Sequence, residues 1–201
     1  MYDMFIHHFS PKHQDTVLDI GVTEDQSYIS SNYFESLYPW KESITAVGLD
    51  DAHFLTKKYP GLNFVRASGC LLPFPDKSFD IVHSSAVLEH VGNITNQQKM
   101  IAEALRVARN GIFITTPNRW FPIEFHTLIP LFHWLPKSMH RKFLRVLGLN
   151  FFAEEKNLNL TSKKELENIF CQYPDWSFNI RTIKLLGMAS NLILIGKKNC
   201  S

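Results

Sequence analysis

The 201-residue sequence has few of the features that staple, anchor or electrically bias a protein. Its three cysteines, Cys70, Cys171 and Cys200, are odd in number and widely spaced. That excludes a disulfide framework and any cysteine-based metal knuckle, and predicts free thiols in a reducing compartment. No apolar run reaches the ~18 residues of a membrane-crossing helix. Lys and Arg total 21 against 19 Asp and Glu, a net charge of +2, so there is no basic surplus of the kind that draws a protein to nucleic acid. The opening Met1-Tyr2-Asp3-Met4-Phe5-Ile6-His7-His8 has no cationic region followed by an apolar stretch, so no secretory signal is expected and the location expected is cytoplasmic. The first apolar strand is not followed by Gly-x-Gly-x-x-Gly, the loop that cradles a pyrophosphate, which counts against a nicotinamide or flavin enzyme.

What is present is an apolar run, Val17-Leu18-Asp19-Ile20-Gly21, ending at a glycine turn, and a second run, Ile44-Thr45-Ala46-Val47-Gly48-Leu49, ending at Asp50. In a parallel α/β sheet two such strand ends lie side by side at the carboxyl edge, where ligands bind. A carboxylate there is placed to accept hydrogen bonds from both hydroxyls of a ribose, which points to a nucleoside-containing cofactor.

Strand and helix signals alternate, predicting a parallel sheet with helices on both faces. Strands are expected at 16–20, 44–49, 62–67, 79–84 and 111–115. A helix is expected after the second strand, from Ala52 to Tyr59, stopped by Pro60. Another should open on a Thr95/Gln98 capping box, carry the stripe Ile101, Ala104, Leu105, Ala108, and end at Asn110-Gly111. A late helix, 163–172, opens on a Ser162/Glu165 capping box. The last two strands, 178–186 and 191–198, are separated only by Gly187-Met188-Ala189-Ser190, too short for a parallel crossover, so they form an antiparallel hairpin. Length and an ordinary apolar content suit one domain, 1–201.

Five parallel strands followed by an antiparallel hairpin resemble the Rossmann-like sheet of the class I S-adenosylmethionine (SAM)-dependent methyltransferases. Val17-Leu18-Asp19-Ile20-Gly21 is similar to the first motif of that family, and Gly48-Leu49-Asp50 to its ribose-binding acid. Leu72-Pro73-Phe74-Pro75-Asp76-Lys77-Ser78-Phe79-Asp80-Ile81-Val82 and Leu88-Glu89-His90-Val91 resemble its type 11 subgroup. The resemblance implies SAM as cofactor and Asp19, Gly21, Val22, Thr23, Asp50, Asp51, Ser68, Gly69, Cys70, Ser84 and Ser85 as its surroundings. Asp50 would hold the ribose. Asp51 is the alternative, with one of the two capping the following helix. Ser68 stands where the family places an acid toward the adenine, with Gly69 and Cys70 beside it, while Ser84 and Ser85 would line the methionine end. The chain departs from the family at the glycine turn, where Thr23 and Asp25 replace the second and third glycines, so the turn is expected to take another path. Asn32 with Glu35 reads as a capping box for a late-starting helix. Glu24 and Asp25 are either solvated loop acids or partners for the methionine ammonium.

Methyl transfer is an in-line displacement that needs a general base only when the acceptor carries a proton. The candidates are His90, just after the fourth strand, and Glu124 and His126, beyond the fifth. Glu124-x-His126 offers two metal-ligand types without a third nearby, so no metal is expected. Residues 117–160 read as an insertion, an acceptor-side lid rich in aromatics. Over 131–150 it carries Lys137, Arg141, Lys142 and Arg145, with His133 and His140, and no acid. That composition reads either as a lid packed by its aromatics with a solvated basic face, or as a site for a lipid-linked acceptor at an anionic membrane surface. The stretch from Thr115 to His126 resembles a segment of methyltransferases of surface-glycan pathways, and the resemblance implies a small-molecule or glycan acceptor methylated on oxygen. The short segment before the first strand leaves the cover to this insertion or to the partner in a homodimer. The base-modifying signatures Asn/Asp-Pro-Pro-Tyr and Pro-Cys are absent, which speaks against a nucleic-acid substrate. The rival reading is a methyltransferase-like binding protein that has lost catalysis, motivated by the missing glycines and by Ser68.

Overall fold

The computed structural model describes residues 1–28 and 31–199; the thiol expected at Cys200 lies outside them, as does part of the loop 22–31. Seven strands form one mixed sheet: β1 (Val17–Ile20), β2 (Ile44–Gly48), β3 (Asn63–Arg66), β4 (Phe79–Ser85), β5 (Ala108–Pro117), β6 (Trp176–Leu185) and β7 (Met188–Lys198). Their order is β3-β2-β1-β4-β5-β7-β6. The pairings among β1 to β5 are parallel, and β7 is antiparallel to both neighbours. The direction of strand progression reverses between β1 and β4, so a crevice opens at their carboxyl ends.

Helices cover both faces. They are α1 (Tyr2–Phe9), α2 (Tyr33–Leu37), α3 (Phe54–Lys58), α4 (Ile94–Val107), α5 (Lys137–Val146), α6 (Asn150–Ala153) and α7 (Lys163–Phe170). Leu18, Ile20 and Val82 point to the face packed by Met100, Ile101, Ala104 and Leu105 of α4 and by Leu166 and Ile169 of α7. Val17, Ile81 and Phe113 point to the other face, against Phe5 of α1, Phe34 of α2 and Leu55 of α3. The period-two alternation of a strand thus sends successive residues of β1 and β4 into two separate cores.

Several boundaries differ from the sequence reading. The α4 cap is Asn93, whose side chain accepts from the Asn96 N–H, rather than Thr95. The helix stops at Val107, and Asn110-Gly111 lies inside β5. Gly111 is there because the Phe9 ring presses on it: a Cβ would stand 2.2 Å from Phe9 Cε1. The Ser162/Glu165 capping box is present in both directions. The hairpin forms as expected but with a tighter turn, Leu186-Gly187. Helix α1, where no element was expected, is short, but its Phe5 is fully buried among Phe9, Phe34, Tyr38, His83 and Phe113. No helix among the described residues is long and apolar enough to cross a membrane.

Candidate active site

A cavity of about 1100 Å³ opens at the carboxyl ends of β1, β2 and β4. Small-molecule sites usually span roughly 300–1,000 Å³, so it has room for a cofactor and part of an acceptor.

Gly21 ends β1 with φ 111°. A Cβ at this position would meet Val87 Cγ2 at 2.0 Å, so only glycine lets the turn pass this close to the loop after β4. The turn then follows β2, with the N–H groups of Gly21 and Val22 both donating to the Val47 carbonyl. Neither Thr23 nor Asp25 adopts positive φ. The loop is closed instead by Asn32, which is left-handed at φ 53°, a conformation asparagine tolerates. Its side chain accepts from the Thr23 N–H at 3.0 Å and donates to the Thr23 carbonyl at 2.9 Å. Asn32 precedes α2 but makes no capping bond to it, so the expected Asn32/Glu35 box is not formed. Asp25 reaches the cavity wall while its carboxylate accepts from the Ser27 N–H; Glu24 is exposed and is not part of the wall.

The sites expected around the cofactor divide cleanly. Asp19, Gly21, Val22, Thr23, Asp50, Ser68, Gly69, Cys70 and Ser85 all line the cavity. Asp51 does not: its carboxylate accepts from the backbone N–H of His53 at 3.1 Å, ahead of α3. Of the two acids only Asp50 lines the cavity, exposed at its edge. Ser84 is also turned away, because the β4 alternation buries it and its hydroxyl donates to the Ile20 carbonyl at 2.9 Å. Ser85, one residue on, faces the cavity and shares a hydrogen bond with Thr115. Ser68 Oγ accepts from the Cys70 N–H, and Cys70 Sγ donates to the Asn96 carbonyl. Two large apolar side chains stand bare on this wall, Leu49 at 68% and Leu71 at 77% exposure.

The deep end carries charge that the sequence reading missed. Tyr33, Glu35 and His83 join Asp19 on the wall. Asp19 and His83 are register partners on β1 and β4, which places their side chains on the same face. Tyr33 Oη is 3.2 Å from His83 Nε2, and His83 Nδ1 is 2.5 Å from Asp19 Oδ1. Burial pushes His83 down to about 3, so it is neutral, and pushes Asp19 up to about 6. Glu35 is fully buried, and neither of its carboxyl oxygens has a hydrogen-bond partner. Burial and the neighbouring Asp19 charge raise its pKa well above the usual carboxylate range. Two acids forced together in this way await a cation or protons.

The three candidate bases also meet, with only His90 of the three on the cavity wall. His90 follows β4 in a one-turn 3₁₀ helix, Leu88–His90, and lines the cavity. Its Nε2 lies 3.1 Å from His126 Nε2, and His126 Nδ1 lies 2.6 Å from Glu124 Oε1. Burial alone would raise Glu124, but hydrogen bonds from His126 and Thr127 outweigh it and hold the carboxylate at about 2. In return, against its own burial, His126 is raised by Glu124. Glu89, adjacent in sequence to His90, is completely buried beside this group.

Residues 29–115 match the family model described as "Methyltransferase domain". A Mycobacterium tuberculosis protein named "Probable S-adenosylmethionine-dependent methyltransferase" is 33% identical over 81 residues, 38% of this chain. The chain covers only 28% of that relative's length. Among solved structures, the YcgJ protein of Bacillus subtilis aligns over 99% of this chain and 98% of its own, with a TM-score of 0.64 at 15% identity. The Burkholderia thailandensis 1,6-didemethyltoxoflavin-N1-methyltransferase, solved with bound 1,6-didemethyltoxoflavin and S-adenosylhomocysteine, aligns over 98% of this chain and 76% of its own, with a TM-score of 0.64 at 12% identity. At these identities the structural likeness carries the fold. Over residues 29–115 the chain is thus similar to the methyltransferase domain family, and its fold, a mostly parallel sheet ending in an antiparallel hairpin, is that of the Rossmann-like methyltransferases.

Proposed function

We propose that the chain binds SAM in the cavity at the β1/β4 switch point and passes its methyl group to a small-molecule or glycan hydroxyl. The observation that carries this reading is the cavity itself, with a glycine turn pressed on Val87 at one side and an exposed carboxylate, Asp50, at the end of β2. The residues fit the cofactor's distinct parts. Asp50 accepts from the ribose hydroxyls. Leu49 and Leu71 offer bare apolar faces to the adenine ring, and Ser68, Gly69 and Cys70 line its edge. Asp19 and the unpartnered Glu35 form an anionic end for the methionine ammonium, with Gly21, Val22, Thr23 and Ser85 enclosing it.

When bound, SAM supplies a methyl group already activated by its sulfonium. The protein's work is to orient the acceptor and exclude water. His90 stands on the cavity wall where an acceptor proton would leave, with His126 and Glu124 behind it. Residues 117–160 act as the acceptor-side lid of a single domain. The exposed Trp120, Phe125, Phe132, Trp134 and Phe151 of this segment, together with the exposed Lys142 and Arg145 of α5, favour an acceptor linked to lipid at an anionic bilayer face. Copurification with anionic vesicles at low salt, absent with neutral ones, tests that part. Met1, which caps α1, also lines the cavity, and the insertion or a second copy of the chain in a homodimer supplies the remaining cover.

Calorimetric titration with SAM and S-adenosylhomocysteine tests the core of the reading. Saturable binding that is lost in Asp50→Ala supports it. No binding at millimolar ligand overturns it in favour of a non-catalytic binding protein.

A further inference from the structure

The group at the cavity rim has more ligand atoms than proton transfer uses. His90 Nδ1 donates to the Asn157 carbonyl at 2.6 Å, and His126 Nδ1 donates to Glu124 Oε1 at 2.6 Å. With the Nδ1 proton fixed, each imidazole in its neutral form carries its lone pair on Nε2. The two Nε2 atoms face each other at 3.1 Å. Beside them is Glu89, whose Oε2 accepts from Thr116 Oγ1 at 2.9 Å. Its Oε1 is buried and has no partner, and lies 4.0 Å from His90 Nε2. All three ligand atoms fall within 4.8 Å of one another.

We propose that Glu89 Oε1, His90 Nε2 and His126 Nε2 bind a divalent transition-metal ion of the zinc type. Ligands about 2.0–2.1 Å from a tetrahedral ion stand roughly 3.4 Å apart. The two histidines are already near that spacing, and a small inward movement of Glu89 closes the remaining edges. A proton shared between the imidazoles would satisfy the histidines but leave Glu89 Oε1 orphaned in a buried place. A cation satisfies all three atoms. Two imidazoles and one carboxylate suit zinc, whereas magnesium and calcium prefer all-oxygen shells. Glu124 is then not a ligand, as its pairing with His126 in sequence suggested, but the group that orients His126 and strengthens it as a donor. Asn157 does the same for His90.

The site joins the turn after β4, through Glu89 and His90, to the segment after β5, through His126. His90 also belongs to the cavity wall, so the ion would sit at the rim with a coordination position left for an acceptor hydroxyl. A hydroxyl bound there loses its proton more readily. That use of the ion rests on the methyl-transfer reading; the binding itself does not.

The test is zinc titration of chelator-dialysed protein against a chromophoric competing chelator. One equivalent should bind. His90→Asn and His126→Asn, on side chains that are not fully buried, should each weaken binding at least about tenfold, and Glu124→Gln by about 10–100-fold. His53→Asn, which removes an exposed histidine paired with Asp51, should leave zinc affinity unchanged. Glu89→Gln completes the set, with circular dichroism confirming that it folds. Failure to compete with the chelator, or stoichiometric zinc unaffected by His126→Asn, overturns the assignment. S-adenosylhomocysteine titration of the same samples separates the two ideas: cofactor binding without zinc binding sinks this site alone.

Discussion

His83 and Asp19, 64 residues apart in sequence, are joined by a 2.5 Å hydrogen bond at the deep end of the cavity. With His83 held neutral, its Nδ1–H donates to Asp19, and its Nε2 is left to accept from Tyr33. The relay fixes the Asp19 carboxylate toward the place where a cationic group of the ligand would lie. Asp19 and Glu35 remain the acids that such a group would neutralise.

This arrangement predicts a pH dependence of cofactor binding. Asp19 has its folded-state pKa raised to about 6, so it ionises as pH rises through that value. Affinity for S-adenosylhomocysteine should therefore climb between about pH 5 and 7 and then level off, and Asp19→Asn should flatten the rise. Flat affinity in the wild type would contradict the assigned role of Asp19. For stability, a raised acid contributes below its ordinary pKa of about 3.9 and loses that contribution as pH rises through its folded value. His83, lowered to about 3, does the reverse, its contribution lost as pH falls through that value. The two oppose each other between about pH 4 and 6, so histidine NMR, rather than a melting curve, should separate them. The His83 ring should show no titration above about pH 4.

Asp50 and Asp51 are adjacent but should behave differently. Asp50→Ala removes charge-assisted hydrogen bonds of ~1.5–3 kcal/mol, which predicts a loss of roughly 10- to 150-fold in cofactor affinity. Asp51→Ala removes a bond to the His53 N–H and should leave the affinity within about threefold. Equal losses in the two variants would place the ribose elsewhere.

Gly21 should tolerate no side chain. Gly21→Ala combines a φ of 111° with a Cβ 2.0 Å from Val87 Cγ2. Cofactor binding should fall below detection by calorimetry. Adding Val87→Ala relieves the clash but not the backbone strain of ~1–2 kcal/mol, so the double variant should recover binding only in part. Full recovery would mean that the contact with Val87, and not the conformation, requires glycine.

Phe5 tests whether α1 is structural. Truncating a buried phenylalanine costs ~3–5 kcal/mol, and Phe5 sits edge-on against Phe34, His83 and Phe113. Phe5→Ala should lower stability in urea by that amount and loosen the wall beside His83. An unchanged midpoint would show that α1 is detachable.

The sequence alone determined the elements whose signals are local. Alternation of strands and helices, the glycine turn after β1, the carboxylate at the end of β2, the Ser162/Glu165 box and the short connection between the last two strands can each be read within a dozen residues, because each depends on backbone geometry or on capping. Where a local signal had two readings, packing decided. Asn110-Gly111 looks like a helix stop, yet Gly111 lies in a strand because Phe9, from the far end of the chain, covers it. Helix α1 is too short to stand on its own propensity and forms because Phe5 has a core to enter. The site shows the same division. A carboxylate at the end of β2 was legible, but which of Asp50 and Asp51 faces the cavity was decided only by the direction each side chain takes. The Asp19–His83 pair follows from the β1/β4 register, and the approach of Glu89 and His90 to His126 follows from the return of the segment after β5. These contacts join residues that no periodicity connects. They exist only once the parallel sheet has brought its strand ends together, and the chemistry at the crevice depends on them.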